Sequence, residues 1–396
     1  MKRIAVLGGG PAGAFAAAEL ASAGLDVTIF DEKLAWEKPC GGGLTHKAYG
    51  RYPFLIENGA AKKMVARTVL GAPRAGSVCL ELDKPIVIYS RFELNGLLLK
   101  RAEDAGAQLE KTRVLSIERG SSGWRIRTRN GIAEAGYCIL AAGARNPLRE
   151  FGTALRPRDT MSALGYYVPG DREEIDVQFL SGLEGYIWVF PRCGHLSVGI
   201  CGKGESAASL RKRLEDYLTG RGIHWKGSQF YSHLLPALDA ASWKSNRVSG
   251  EGWLAVGDAA GLVDPVTGEG LYYALRSGEL AARFLSNRFI INNDALNTGS
   301  LNHDFAGYAA AIRGDFARDL ERGSELAAQI FLGKFLFGST PARIVQFIRR
   351  SPRFRALMQD VFAGTQSYLG LDARLYRGLP RTLFEMALFE KSMSHV

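Results

Sequence analysis

The chain has 396 residues, enough for two or three domains at roughly 100–200 residues each. Its 46% hydrophobic and 23% charged residues exclude a disordered, collagen-like or coiled-coil chain. Fifty Lys and Arg against 40 Asp and Glu leave a net charge of +10, compatible with nucleic acid, an anionic membrane surface or anionic ligands as partners.

The first 31 residues read as one βαβ unit. Ile4 to Leu7 is a continuous apolar strand, Ala12 to Ala23 an alanine-rich helix closed by Gly24, and Val27 to Phe30 a second strand. Lys2 and Arg3 before an apolar stretch imitate a secretory signal, but Gly8, Gly9, Gly10 and Pro11 break it. A Gly-rich loop follows at Cys40 to Gly43. Helical spacing returns from Arg91 to Gly106, and strands are predicted at Val114–Ile117, Trp124–Thr128 and Tyr137–Leu140. Between about 155 and 250, short segments rich in β-branched and aromatic residues alternate with Gly-containing turns, which predicts an antiparallel sheet, followed by a helix near Ser206–Leu218. A strand at Trp253–Val256, a helix at Gly270–Leu285 and a helical tail complete the chain. The fold class expected is therefore α/β. A Rossmann-like domain (1–150 plus 250–290) is split by an antiparallel sheet domain (151–249), and a helical region (291–396) follows.

Five cysteines without CxxC spacing argue against a disulfide framework and for a reducing, cytoplasmic setting. Cys79, Cys138, Cys193 and Cys201 read as small buried hydrophobes. Six histidines show no metal-ligand spacing, so no metal is expected. No uncharged apolar run approaches 20 residues, so no spanning helix is expected. Residues 341–357 mix Arg343, Arg349, Arg350, Arg353 and Arg355 with apolar side chains, and Pro352 divides them. They form a candidate surface for peripheral membrane contact. No nucleic-acid-binding motif is present.

Gly8-Gly9-Gly10-Pro11-Ala12-Gly13 fits G-x-G-x-x-G between a strand and a helix, and Asp31 ends the second strand. That context marks a dinucleotide whose phosphates face a helix N-terminus and whose ribose meets the carboxylate. The unit alone does not separate NAD from FAD. Trp253 to Ala260 ends a strand in Gly257-Asp258, and Asp264-Pro265-Val266-Thr267-Gly268-Glu269-Gly270-Leu271 follows. Here the chain closely resembles FAD-dependent oxidoreductases of the p-hydroxybenzoate-hydroxylase-like class. The resemblance implies FAD. It gives Asp258 to the ribityl chain, the amides of Gly270 and Leu271 to the flavin pyrimidine, and Arg91 to the phosphate or ribityl region. It places Gly8, Gly10, Ala12, Gly13, Asp31, Val114 and Gly143 among the cofactor contacts. One departure stands out: Ala142-Gly143 replaces the Asp-Gly that helps hydroxylases of the class handle a nicotinamide cofactor.

Gly185-Tyr186-Ile187-Trp188-Val189-Phe190-Pro191-Arg192 resembles the Y-x-W-x-F-P-(Lys/Arg) motif of the geranylgeranyl reductase family, and Cys40-Gly41-Gly42-Gly43 resembles that family's Cys-Gly loop beside the flavin. On a strand, Tyr186, Trp188 and Phe190 share one face. They are candidate walls of a site for an apolar chain, with sheet core as the competing reading. Cys40, with Gly41 and Gly43, is a candidate cofactor contact and, as a thiol, a candidate catalytic group. The family implies reduction of carbon–carbon double bonds in an isoprenoid or other apolar lipid substrate. NADPH or a protein donor such as reduced ferredoxin would supply the electrons. The alternatives are an FAD monooxygenase or halogenase acting on a natural-product scaffold, since the strand also resembles W-x-W-x-I-P, and a flavoprotein that binds without turnover.

Overall fold

The computed structural model describes residues 3–120, 123–148, 150–295 and 305–378. The elements run β1 (Ile4–Leu7), α1 (Pro11–Ser22), β2 (Val27–Asp31), β3 (Gly43–Leu44), α2 (His46–Arg51), β4 (Lys62–Ala72), β5 (Gly76–Tyr89), α3 (Arg91–Asp104), β6 (Gln108–Lys111), β7 (Val114–Arg119), β8 (Trp124–Thr128), β9 (Gly131–Ala135) and β10 (Tyr137–Leu140). They continue with β11 (Thr160–Pro169), β12 (Glu174–Phe179), β13 (Glu184–Pro191), β14 (His195–Lys203), α4 (Ala207–Gly220), β15 (Gln229–Pro236), α5 (Ala240–Lys244), β16 (Ser249–Gly250), β17 (Trp253–Ala255) and α6 (Leu271–Ala295). After α6 come α7 (Ala306–Ile312), α8 (Arg318–Leu332), β18 (Lys334–Phe335), β19 (Gly338–Ser339), α9 (Thr340–Arg350) and α10 (Pro352–Phe362).

A six-stranded sheet runs β16-β17-β10-β1-β2-β6, parallel except for the short edge strand β16. Its central strands β1, β10 and β17 are almost wholly apolar and buried, whereas the edge strand β6 is polar and exposed. Helix α1 packs on α3 and on α6. Contact with α6 is close because Gly278 lacks a Cβ, which would lie 2.6 Å from the Ala12 carbonyl oxygen. The small antiparallel sheet β7-β8-β9 joins the same core through Ile117, Trp124 and Ile126.

The second large sheet has eight strands, in the order β15-β11-β14-β13-β12-β4-β5-β3. Its pairs are antiparallel except β12 with β4. Helix α4 covers one face, with Leu210, Leu214 and Leu218 against Ile187, Val189 and Ile200. On the other side, α9 and α10 pack on β5.

This topology corrects the predicted boundary at residue 150. The sheet expected within 151–249 takes β3, β4 and β5 from residues 43–89, a stretch that the sequence pattern assigns to the Rossmann-like domain. In β5, Leu80 and Leu82 are buried while Cys79, Glu81 and Asp83 are exposed, a half-buried strand pattern interrupted by Pro85. The expected helix at 270–285 extends to Ala295. The helical tail is described over 305–378, and the rest of the expected 291–396 region past Ala295 lies outside the described residues. Pro352 separates α9 from α10, and the Ser351 hydroxyl caps α10 by accepting the Phe354 amide at 3.2 Å. Val345, Phe347 and Ile348 are buried, so the apolar side of the Arg-rich segment turns inward. Cys138 and Cys201 are buried, whereas Cys79 and Cys193 are exposed, contrary to the sequence reading. Among the described residues no helix is long and apolar enough to cross a membrane.

Candidate functional site

The cradle begins where β1 ends. Gly8 has φ +120°, and a Cβ there would lie 2.3 Å from the Ala141 carbonyl oxygen. A Cβ on Gly13 would lie 2.0 Å from the Gly8 oxygen, so helix and loop meet backbone to backbone. Gly10, the N-cap of α1, faces open space. The motif thus divides its labour: Gly8 and Gly13 permit close packing, and Gly10 leaves room for a ligand at the helix N-terminus. Asp31 binds the loop from below. Its Oδ2 accepts the Gly9 amide at 2.7 Å, and its Oδ1 accepts those of Lys33 and Leu34 at 2.8 and 2.7 Å. Val114 opens β7 just beyond Lys111, the residue paired with Asp31. Gly143, at φ +76°, follows the end of β10.

A charged cluster lies deeper. Arg91, the first residue of α3, is 3% exposed. Its Nη2 donates to Asn95 Oδ1 at 3.2 Å, while its Nε has no partner. Lys38 Nζ lies 3.1 Å from Asp258 Oδ2. Burial alone would raise the Asp258 carboxyl, but the positive charges led by Lys38 outweigh it and hold it below the usual carboxylate range. His233, on β15, is driven down to about 3 by burial and then by Lys38, so it is neutral, and its Nε2 is also without a partner. A Cβ on Gly270 would lie 3.5 Å from Asp258 Oδ1, which sets the N-terminus of α6 beside this cluster. Two unpartnered buried nitrogens, one anchored carboxylate and two helix N-termini fit an extended dinucleotide, whose phosphates and polar chain would complete the missing hydrogen bonds.

Beyond the cluster opens a cavity of about 620 Å³. Cys40, Gly41 and Gly43 line it at one end together with Gly270 and Leu271. The Cys40 loop is fixed by Arg192, which is 1% exposed. Arg192 donates Nη2 to the Cys40 carbonyl at 2.5 Å and Nη1 to Glu37 Oε1 at 2.6 Å. Glu37 in turn accepts the amides of Arg91 and Phe92 at 2.9 and 3.3 Å, capping α3. Burial opposes ionisation of Glu37, but Arg192 and these amides hold it below its ordinary range. Tyr186, Trp188 and Phe190 share one face and all line the cavity, while Ile187 and Val189 point to α4. Phe190 lies against the glycine loop: a Cβ on Gly41 would come within 2.5 Å of its ring. The far wall comes from α8, α9 and α10, including Phe331, Ile344, Phe347 and Leu357.

Glu269 also faces this cavity. The Thr45 hydroxyl donates to its Oε1 at 2.8 Å. Burial drives its carboxyl up to about 7; the Thr45 hydrogen bond opposes this, the Asp264 charge adds to it, and Lys47 opposes it. Asp264 accepts the amides of Val266 and Thr267 and both of its oxygens meet the Tyr368 hydroxyl at 2.9 Å, which ties the chain beyond α10 to the loop before α6.

A model described as an NAD(P)-binding Rossmann-like domain matches residues 6–60. Menaquinone reductase of Mycobacterium tuberculosis is 31% identical over 318 residues, covering 72% of this chain and 76% of that protein. The chain belongs to the geranylgeranyl reductase family of FAD-dependent oxidoreductases. Digeranylgeranylglycerophospholipid reductase 2 of Methanothermobacter thermautotrophicus, 29% identical, spans 81% of this chain and 85% of its own length. A geranylgeranyl bacteriochlorophyll reductase-like crystal structure from Thermoplasma acidophilum has the same fold, with a TM-score of 0.76 at 22% identity over 95% of this chain and 98% of that one.

Within this geranylgeranyl reductase family fold, the candidate residues fall into two groups. Cys40, Gly41, Gly43, Tyr186, Trp188, Phe190, Gly270 and Leu271 line the cavity. Gly8, Gly10, Ala12, Gly13, Asp31, Arg91, Gly143 and Asp258 do not line it and stand along the cradle that leads to it, and Val114 lies outside the cavity at the start of β7. Sequence reasoning missed Lys38, His233, Arg192 as a loop anchor, and Glu269. Glu269 carried a signal, an acid between two glycines at a helix start. His233, a lone histidine within a strand, carried none.

Proposed function

We propose that this protein binds FAD and reduces carbon–carbon double bonds of an isoprenoid or other apolar substrate. The observation that carries this reading is the apolar cavity, which runs from the Cys40 loop and the N-terminus of α6 between an aromatic strand and the helices of the tail. Its size and largely apolar lining suit a prenyl chain. The menaquinone and digeranylgeranylglycerophospholipid reductases named above support the same substrate class. Five free cysteines support a reducing, cytoplasmic setting.

In this reading Gly8, Gly10, Ala12, Gly13, Asp31 and Val114 hold the adenosine diphosphate end, and Arg91, Gly143 and Asp258 the middle. The amides of Gly270 and Leu271, with Cys40, Gly41 and Gly43, hold the flavin ring. FAD, when bound and reduced, supplies the hydride. The protein excludes water with Tyr186, Trp188 and Phe190 and orients the alkene against the Cys40 loop. The N-terminus of α6 stabilises negative charge placed beside it. Addition of a hydride to one alkene carbon requires a proton at the other, and Glu269, held by Thr45 and neutral up to about pH 7, is the acid positioned in the cavity to deliver it.

The test is anaerobic turnover by the flavin-loaded protein, with NADPH and reduced ferredoxin compared as donors and dithionite as control. Mass analysis of a prenylated lipid should show two added hydrogens per reduced bond. A product that forms only with oxygen and gains an oxygen atom would overturn the reading in favour of oxygenation.

A further inference from the structure

The turn joining α8 to α9 is a built apolar wedge. Lys334 pairs with Ser339 and Phe335 with Gly338, leaving Leu336 and Phe337 as a two-residue tip. Both have positive φ, +46° and +60°. Such a tip ordinarily takes Asn-Gly, because two left-handed residues in succession suit small or polar side chains. Here two large apolar residues occupy it. Arg343 braces the base: its Nε donates to the Phe335 carbonyl at 3.3 Å and its Nη2 to that of Leu336. The Phe335 ring meets Phe347 edge-on at 6.0 Å. With the base held, Leu336 and the fully exposed Phe337 project outward, beside exposed Leu332.

The stretch of chain that carries the wedge has charge of one sign. From Leu326 to Gln359 there is no Asp or Glu, and there are six basic residues: Lys334, Arg343, Arg349, Arg350, Arg353 and Arg355. Arg343, Arg349 and Arg355 donate hydrogen bonds to backbone carbonyls and a glutamine, neutral partners that do not cancel their charge. The wedge is also continuous with the cavity, since Phe335, Arg343 and Phe347 line both.

We propose that this hairpin, with the basic residues of α9 and α10, settles on an anionic lipid bilayer, Leu336 and Phe337 entering the headgroup layer. A membrane-resident substrate then reaches the cavity past Phe335. Exposed aromatic and aliphatic side chains ringed by cations are what an anionic interface recognises. The route to the cavity rests on the reading of an apolar substrate; docking itself does not, and is tested without turnover.

The experiment uses the full-length flavin-loaded protein and vesicles of phosphatidylcholine alone or with one-third phosphatidylglycerol. Co-sedimentation is expected with the anionic vesicles only, and it should weaken as salt rises. The double variant Leu336→Asn, Phe337→Gly relaxes the turn, so its melting temperature should hold or rise, while its binding to anionic vesicles should fall at least fivefold. Lys334→Glu should lower binding without changing the melting temperature. Absence of binding by the native protein, or unchanged binding by the double variant, overturns the proposal. So does a native dimer that the double variant converts to monomer, which would seat the wedge on a second copy. Vesicle binding without any alkene reduction leaves the docking inference standing and removes the functional one.

Discussion

Asp258 and Glu269 are carboxyls of one loop region with opposite fates. Asp258 is ionised beside Lys38; Glu269 keeps its proton because its enclosure is not matched by an equally close cation. If Glu269 is the acid, turnover should be level below about pH 7 and fall above it as the carboxyl ionises. Glu269→Gln should slow alkene reduction by about 100-fold or more and abolish that alkaline limb, while the donor still reduces the flavin at the native rate. Stopped-flow flavin absorbance and product formation, followed side by side, separate the two effects. Stability gives an independent check. The ordinary value is 4.5 and the folded one about 7, so the folded chain holds a proton that the unfolded chain releases between them. Stability owed to this group is complete below about 4.5 and lost as pH rises through 7, and Glu269→Gln should therefore stabilise the protein by about 3 kcal/mol at pH 8. Gly13 offers a contrasting test. Any Cβ there meets backbone, so Gly13→Ala should cost at least about 2 kcal/mol and lose flavin during purification.

At the scale of elements, what was legible depended on how local the pattern was. The βαβ unit was readable because three glycines, an alanine helix and a terminal Asp sit within 31 residues. The aromatic face of β13 was readable from period-two spacing alone. Strands β4 and β5 were not: Lys62, Lys63 and Arg67 dilute the first, and Pro85 interrupts the second. Their core face is apolar only because α9 and α10 arrive from more than 250 residues later, which no local window contains. The same distance hid the inward turn of the Arg-rich helices, and it hid His233, whose neighbours Lys38 and Asp258 come from other elements. Leu80 reports on this long-range packing. It is 0% exposed against the tail, so Leu80→Ala should cost about 3 kcal/mol in denaturant unfolding and loosen the far wall of the cavity.

Across the whole molecule, two sheets of different origin are joined by the cradle between them. Helices α1, α3 and α6 all begin at that junction, and the Arg192–Glu37 pair binds the second sheet to the N-terminus of α3. A cofactor lying there adds contacts to both parts beside those of Arg192 and Ser197 with the Cys40 loop. Stripping the flavin should therefore lower the melting temperature by several degrees, and re-addition should restore it; at free cofactor 1,000-fold above Kd the linkage amounts to about 4 kcal/mol. Calorimetry of the stripped and reloaded protein measures this directly. The cavity has a further consequence. Its reactive end is built from the glycine loops and β13, and its far end from α8, α9 and α10. Length selectivity and chemical competence are thereby written on separate stretches of chain. Widening or narrowing that far end, at Ile344 or Leu357, amounts to resetting a ruler without touching the pen.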